Sequence, residues 1–279
     1  MLLKTTIDKL ITLALEEDIT YLDVATDFTF DDSHSSSAKI IAKDDGVVCG
    51  SEIAARVFTL LDEGCKTQII KKDGESVKTG DTILTVSGST RTLLKGERTA
   101  LNILGHLSGI CSLTSSLVNA AREVNPSVMV VDTRKTTPML RLFEKYAVLM
   151  GGGNNHRFNL SDGAMLKDTH IDALGGIESA VKAIKSKCGH MIKTEVEARN
   201  LDEVSQALNA GADVIMLDNM SIADMKTAVA LVDGKAITEA SGMITLEKIK
   251  EIAETGVDVI SSGSMVYNAK RLDVSMKIV

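Results

Sequence analysis

A chain of 279 residues with 44% hydrophobic and 25% charged residues is long enough for one large domain or two modest ones. Its net charge of −7 and aromatic content of 3% argue against nucleic acid as a partner, because a polyanion selects cationic, stacking surfaces. Four widely spaced cysteines, Cys49, Cys65, Cys111 and Cys188, show neither a disulfide framework nor C-x-x-C zinc spacing, so a reducing cytoplasm is expected.

Residues 1–15 carry an amphipathic helical pattern, with Lys4, Asp8 and Lys9 inside it, which excludes a signal sequence. No window approaches the roughly 20 uninterrupted apolar residues of a membrane span, so no membrane partner is expected. DDSHSSS at 31–37 reads as a loop, 38–50 as a strand with a turn, and SEIAARVFTLLDEG as a second helix. KTQIIKKDGESVKTGDTILTVSGST then alternates like hairpins with Gly74 and Gly80 at the turns. Part of it is similar to the hairpins of biotinyl and lipoyl carriers, but an exposed carrier lysine between hydrophobes is missing. Residues 97–124 form a long helical stretch, with interruptions expected near Gly105 and Gly109.

The segment 131–171 stands out. Arg134, Lys135, Arg141, Lys145, Arg157 and Lys167 face only four acids there, a net +2 that leaves −9 for the remainder. A cationic island in an acidic protein points to anionic ligands, and Gly151, Gly152 and Gly153 suggest backbone brought close to one. His156 and His170 lie inside the island and are as easily structural as functional.

From Leu201 to the end the chain repeats a strand–helix unit, led in by a first apolar run. Apolar runs at 191–197, 212–218, 235–241 and 257–263 read as buried parallel strands. The helical patterns between them are followed by Gly211, Gly234 and Gly256, with Asn200, Ser221 and Thr245 placed as N-caps. Such repeats imply a barrel or a doubly wound sheet. Glu197, Asp218 and Glu239 mark successive strand ends in apparent register, and Ser261, Ser262 and Gly263 occupy the next place, which favours the barrel and its functional rim.

Arginines and lysines set against acids at strand ends suit an anionic substrate and a metal-bound polyphosphate. Arg pairs bidentately with carboxylate or phosphate, whereas Lys is a point charge. Glu197 and Asp218 could hold Mg²⁺, and the ASG turn at 240–242 and SSG turn at 261–263 could present backbone N–H groups to a phosphate. No Ser-His-Asp or Cys-His spacing supports covalent catalysis.

These blocks carry a family resemblance. ERTALNILGHLSGI (97–110), DTRKTTP (132–138), EKYAV (144–148), GGGNNHR (151–157), LKDTHI (166–171), EVE (195–197), MLDN (216–219), EASG (239–242) and TGVDVIS (255–261) together resemble the quinolinate phosphoribosyltransferases over almost the whole length. The resemblance implies an α/β fold in which an N-terminal α/β sandwich domain, residues 1–108, joins an irregular α/β barrel, residues 109–265, of the type II phosphoribosyltransferase kind, with 266–279 packing back on the first domain. It also implies conversion of quinolinate and phosphoribosyl pyrophosphate to nicotinate mononucleotide, pyrophosphate and carbon dioxide, with Mg²⁺, in a homodimer or larger homo-oligomer.

By the same resemblance Arg98, Arg134, His156, Arg157 and Lys167 take the substrate carboxylates, Arg98 coming from a neighbouring subunit. Lys135, Glu197 and Asp218 serve phosphoribosyl pyrophosphate and its metal, with Glu197 and Asp218 as the metal ligands. Ser241, Gly242, Ser262 and Gly263 cradle the 5′-phosphate, with Thr133 and Ser261 beside them. The chain departs from the family pattern at Leu22, Asn159, Ser161, Thr169 and in SGSMVYN (262–268), which lacks a customary histidine. The alternatives are a molybdenum-transport-associated relative of the same fold, a nicotinate-using relative, and a non-catalytic ligand-binding homologue. Lys167 argues against the first, the number of cations against the second, and the retained Glu197 and Asp218 against the third.

Overall fold

The computed structural model describes residues 3–279 and divides into two compact units. The first comprises residues 3–115, 142–152 and 268–279, and the second 116–141 and 153–267.

The first unit opens with helix α1 (Lys4–Asp18) and the short α2 (Val24–Thr29), capped by the Asp23 carboxylate, which accepts from the Thr26 N–H. Strand β1 (Ser35–Ala42), the two-residue β2 (Gly46–Val47), helix α3 (Ser51–Leu61), strands β3 (Lys66–Ile69), β4 (Ser76–Val77) and β5 (Thr82–Ser89) follow. The serines expected in a loop at 35–37 are instead the start of β1, because Ser35, Ser36 and Ser37 pair with Ser89, Gly88 and Ser87. Helix α3 repeats apolar residues at four-residue spacing, so Ile53 with Val57 and Ala54 with Phe58 form one buried stripe. Arg56 on its other side grips Asp8 of α1 through both carboxylate oxygens, at 2.7 and 3.0 Å.

Helix α4 (Thr90–Val124) runs 35 residues without the interruptions expected at Gly105 and Gly109. These glycines admit backbone: a Cβ on Gly105 would lie 2.8 Å from the Leu272 carbonyl oxygen, and one on Gly109 only 2.1 Å from that of Lys270. By length and composition α4 could cross a membrane, against expectation, yet 61% of its apolar window is buried in the fold, as for a core helix.

The second unit holds β6 (Met129–Val131), and residues 142–150 of helix α5 (Arg141–Met150) return to the first. There Glu144 meets His106 at 2.9 Å, the Tyr146 hydroxyl donates to Asp73 at 2.8 Å, and Gly151 lies against the Cys111 carbonyl and Thr114. The division thus differs from 1–108 and 109–265 because this segment belongs with α4, and the boundary falls inside a continuous helix. Gly151 approaches that helix and not a ligand, which corrects one reading of the island.

The second unit continues through β7 (Ala164–Leu166), α6 (Asp168–Ala173), α7 (Ile177–Lys185), β8 (Thr194–Ala198), α8 (Leu201–Asn209), β9 (Val214–Asp218), α9 (Ile222–Val232), β10 (Ile237–Ser241), α10 (Ile249–Ala253), β11 (Val259–Ser261) and the four-residue α11 (Ser264–Tyr267). Its six parallel strands are ordered β6-β11-β10-β9-β8-β7, and Asn154 bridges to Val131 beyond β6. This is the α/β barrel architecture, with Val196, Ala198, Ile215, Leu217, Ala240 and Ile260 buried on the face away from Glu197, Asp218, Ser241 and Ser261. Asn200 and Ser221 cap α8 and α9 as expected, whereas α10 starts at Ile249, four residues beyond Thr245. Back in the first unit, strand β12 (Val274–Ile278) pairs antiparallel with β1, giving the sheet order β12-β1-β5-β3.

Candidate active site

Side chains alternate across a strand, so residues two apart share a face. On β8 that puts Glu195 with Glu197, on β9 Met216 with Asp218, on β10 Glu239 with Ser241. Hydrogen-bond register then arranges them in tiers. Glu197, Met216 and Glu239 are level, while Asp218, Ser241 and Ser261 form the next tier toward the strand ends. The three acids with equal sequence spacing are therefore not in one register. Sequence spacing counts loops and helices of unequal length; the ladder fixes the level.

These tiers face a pocket of about 410 Å³ in the second unit. Thr133, Arg134, Lys135, His156, Arg157, Lys167, Glu197, Asp218, Ser241 and Ser261 line it, all expected from sequence, together with Met165, Met216 and Glu239. Gly263 is just outside this lining, and a Cβ there would meet both Lys135 Cδ and Thr133 Oγ1 at 3.0 Å, so glycine lets the two loops close up. Gly242, at φ +101°, abuts Asn219. The Ser262 side chain turns instead to Ser264, 2.7 Å away. Arg98 lies in the first unit, exposed on α4. His170 caps α6, its Nδ1 accepting from the Lys167 N–H at 3.2 Å.

Loop anchors hold the cations. Asp132, wholly buried after β6, accepts from the His156 N–H at 2.9 Å and from Asn155 at 2.6 Å. Arg141 bonds Thr136 Oγ1 and the Phe158 carbonyl, both at 3.0 Å, so it ties the loop of Arg134 and Lys135 to that of Arg157. Arg157 in turn donates to the Gly163 carbonyl at 2.8 Å. Burial, with the like charge of Arg134, lowers the Arg157 pKa from its ordinary value. Lys167 Nζ rests 2.7 Å from Glu197 Oε2.

Beneath them sits a cluster that sequence reading missed in part. His156 Nε2 is 3.3 Å from Glu195 Oε2 and 3.5 Å from Glu239 Oε2. Its Nδ1 accepts the Arg157 N–H at 2.7 Å, which places the ring proton on Nε2, pointing at the acids. That proton also argues against the cluster as a metal centre, although the three ligand atoms lie within 4.8 Å of one another. Burial opposes charge on the imidazole, whereas the hydrogen bonds and negative charges of Glu195 and Glu239 favour it, so the cluster holds on to a proton. Burial raises the pKa of Glu195, with the charge of Glu239 adding to it. The Arg157 amide opposes a second ring proton, so the geometry keeps the cluster's proton on the side shared with the carboxylates.

His156 lines the pocket with both ring nitrogens engaged, Nδ1 by the Arg157 N–H and Nε2 by the two glutamates. The signal for Glu195 was its place two residues before Glu197 on the same strand face. Three buried oxygens here have no hydrogen-bond partner: Glu195 Oε1, Glu239 Oε1 and Ser261 Oγ, the last on a residue that lines the pocket.

Residues 23–108 match the N-terminal and 110–277 the C-terminal domain of quinolinate phosphoribosyl transferase. A probable nicotinate-nucleotide pyrophosphorylase [carboxylating] of Bacillus subtilis is 42% identical over 262 residues, spanning 94% of this chain and 90% of its own. The crystal structure of NadC from Streptococcus pyogenes superimposes with a TM-score of 0.96 at 43% identity, covering 100% of this chain and 99% of its own. The nicotinate-nucleotide pyrophosphorylase of Francisella tularensis gives 0.94 at 36% identity, covering 100% and 98%.

Proposed function

The chain belongs to the quinolinate phosphoribosyltransferase family, and we propose that its barrel pocket joins quinolinate to phosphoribosyl pyrophosphate, releasing pyrophosphate and carbon dioxide and yielding nicotinate mononucleotide for NAD biosynthesis. The observation that carries this reading is one pocket lined by Arg134, Arg157 and Lys167 together with Glu197 and Asp218. Two carboxylates on a flat ring call for planar, forked cations, and a sugar that gains positive charge calls for acids nearby.

Arg134, Arg157 and Lys167 hold the quinolinate carboxylates and set the ring nitrogen in line with the ribose carbon C1′, a positioning contribution. His156 supports this by holding the Arg157 backbone. As the bond from C1′ to the pyrophosphate oxygen breaks and the bond to nitrogen forms, the ribose ring becomes cationic; Glu197 and Asp218 stabilise that charge. Lys135 offsets the charge on departing pyrophosphate. No base is needed, because the nitrogen carries no proton. The carboxylate beside the now cationic nitrogen leaves as carbon dioxide, and the electron pair left on the ring carbon takes a proton.

Glu197 and Asp218 would hold Mg²⁺, since two carboxylates at an open rim, with substrate phosphates, form the hard oxygen set this ion prefers. When bound, the ion would offset charge on the polyphosphate. Ser241, Gly242, Ser261, Ser262 and Gly263 form the cradle for the 5′-phosphate, supported by the unpartnered Ser261 hydroxyl.

The enzyme works as a homodimer or larger assembly in which Arg98 of a second copy completes the carboxylate site. Arg98 is exposed on α4, and Tyr21 and Phe28, 85% and 78% exposed, are apolar surface for a second copy to cover. Four free cysteines fit a reducing cytoplasm.

The test is to supply purified protein with Mg²⁺, phosphoribosyl pyrophosphate and either quinolinate or nicotinate. Carbon dioxide release from quinolinate is expected; consumption of nicotinate with quinolinate untouched would overturn the substrate assignment.

A further inference from the structure

Asn219 follows Asp218 at the end of β9 with φ at +53°, a left-handed backbone that side chains disfavour. Most residues are strained in that conformation, and Asn bears it best because its side chain bonds locally. Here the bonds are specific. The Asn219 backbone N–H donates to the Ser241 carbonyl at 2.9 Å, across to β10. Its Nδ2 donates to Asp218 Oδ2 at 3.0 Å. Its Oδ1 fills the space that any side chain on Gly242 would need, 2.1 Å from the position of a Cβ. Gly242 at +101° and Met243 at +44° are left-handed as well. Three such residues thus gather at the ends of two adjacent strands whose last residues, Asp218 and Ser241, line the pocket. Backbone strain concentrated beside a site is a pointer to function, provided surrounding bonds hold it.

We infer that Asn219 is a positioning residue: its amide fixes the plane of the Asp218 carboxylate and the course of the 241–243 turn together. The acid and the turn are thereby preset for the same ligand, a metal-bound phosphorylated sugar diphosphate. This rests on the reading that Asp218 serves magnesium phosphoribosyl pyrophosphate.

The experiment uses Asn219→Gly, which keeps the left-handed backbone easy and deletes the amide, and Asn219→Asp, which keeps the shape and removes the donor. Outer-shell partners of this kind are worth roughly 10- to 100-fold in affinity. Calorimetric titration with magnesium pyrophosphate should therefore weaken by about tenfold or more in both variants. The KM for phosphoribosyl pyrophosphate should rise in step, while the KM for quinolinate stays within about twofold, as for a group remote from that ligand. The melting temperature monitors folding, and a purely structural role would lower it while shifting both KM values together. Asp218→Asn serves as the reference. If Asp218→Asn loses pyrophosphate affinity and both Asn219 variants keep it, the inference on Asn219 fails and the reading of Asp218 stands. If Asp218→Asn binds normally, both fail. Gly242→Ala should cost less in the Asn219→Gly background than in the native one, since the clash with Oδ1 is gone; strict additivity would contradict the shared arrangement.

Discussion

Lys167 Nζ lies 2.7 Å from Glu197 Oε2, so a cation assigned to quinolinate and an acid assigned to the metal and ribose neutralise each other across β7 and β8. Each substrate must part this pair to take its own partner, but the second to bind finds it already parted. Quinolinate and magnesium pyrophosphate should therefore bind with positive coupling, equal in both directions. The lysine is 48% exposed, which limits the pair to about 1 kcal/mol, or roughly fivefold. Calorimetry of quinolinate with and without magnesium pyrophosphate should show it, and Glu197→Gln should abolish it.

The carboxylate clamp predicts a split in kinetics. Arg134→Ala and Arg157→Ala should each raise the KM for quinolinate by roughly 30-fold or more, the ~2 kcal/mol of a lost charge-assisted pair. The KM for phosphoribosyl pyrophosphate should move far less. Arg157→Lys should recover little, since one ammonium cannot reproduce both the Gly163 bond and a forked contact. Equal rises in both KM values would point to a folding defect.

A shared site predicts complementation. Arg98→Ala and Lys135→Ala proteins should each be nearly inactive, and mixing them should recover up to about a quarter of native activity, because half of the dimers are mixed and each has one intact site. No recovery after exchange of subunits would mean that each chain uses its own Arg98.

Tyr146 predicts an alkaline limit to stability. Burial, then its hydrogen bond and proximity to Asp73, raises its hydroxyl pKa above the ordinary value. The unfolded chain therefore releases this proton first. The contribution is intact below about pH 10 and declines as pH rises through the folded value. Tyr146→Phe should cost about 1 kcal/mol at neutral pH from the lost bond. The gap between native and variant should narrow in urea titrations above pH 10; a gap that widened would reverse the assignment.

Gly109 predicts a failure of helix propensity. Alanine in a helix interior is worth about 1 kcal/mol over glycine. At this position the added Cβ would stand 2.1 Å from the Lys270 carbonyl oxygen, and overpacking against backbone costs about 1–3 kcal/mol. Gly109→Ala should therefore lower the melting temperature, and deletion of 268–279 should remove the penalty.

Local signals made the repeating unit legible. Period-two and period-3.6 patterns, with Asn200 and Ser221 as caps and Gly211, Gly234 and Gly256 at positive φ, were each written within a few residues. Thr245 is not the cap of α10 because a turn at 246–248 delays that helix, and nothing local marks the delay.

The site was legible as a set of residue types but not as an arrangement. By itself the sequence determined the cationic island that holds Arg134, Lys135, Arg157 and Lys167, and the strand-end places of Glu197 and Asp218, since local charge, alternation and spacing are properties of one segment at a time. The tertiary structure decided which cations reach the pocket. Of the basic island, Arg141 braces two loops and Lys145 is wholly buried, while four others reach the pocket. It also decided the register that puts Asp218 one tier above Glu197, the glutamate pair that occupies His156, and the Asn219 turn. Those depend on which strands become neighbours, and neighbours are chosen by packing of the whole chain.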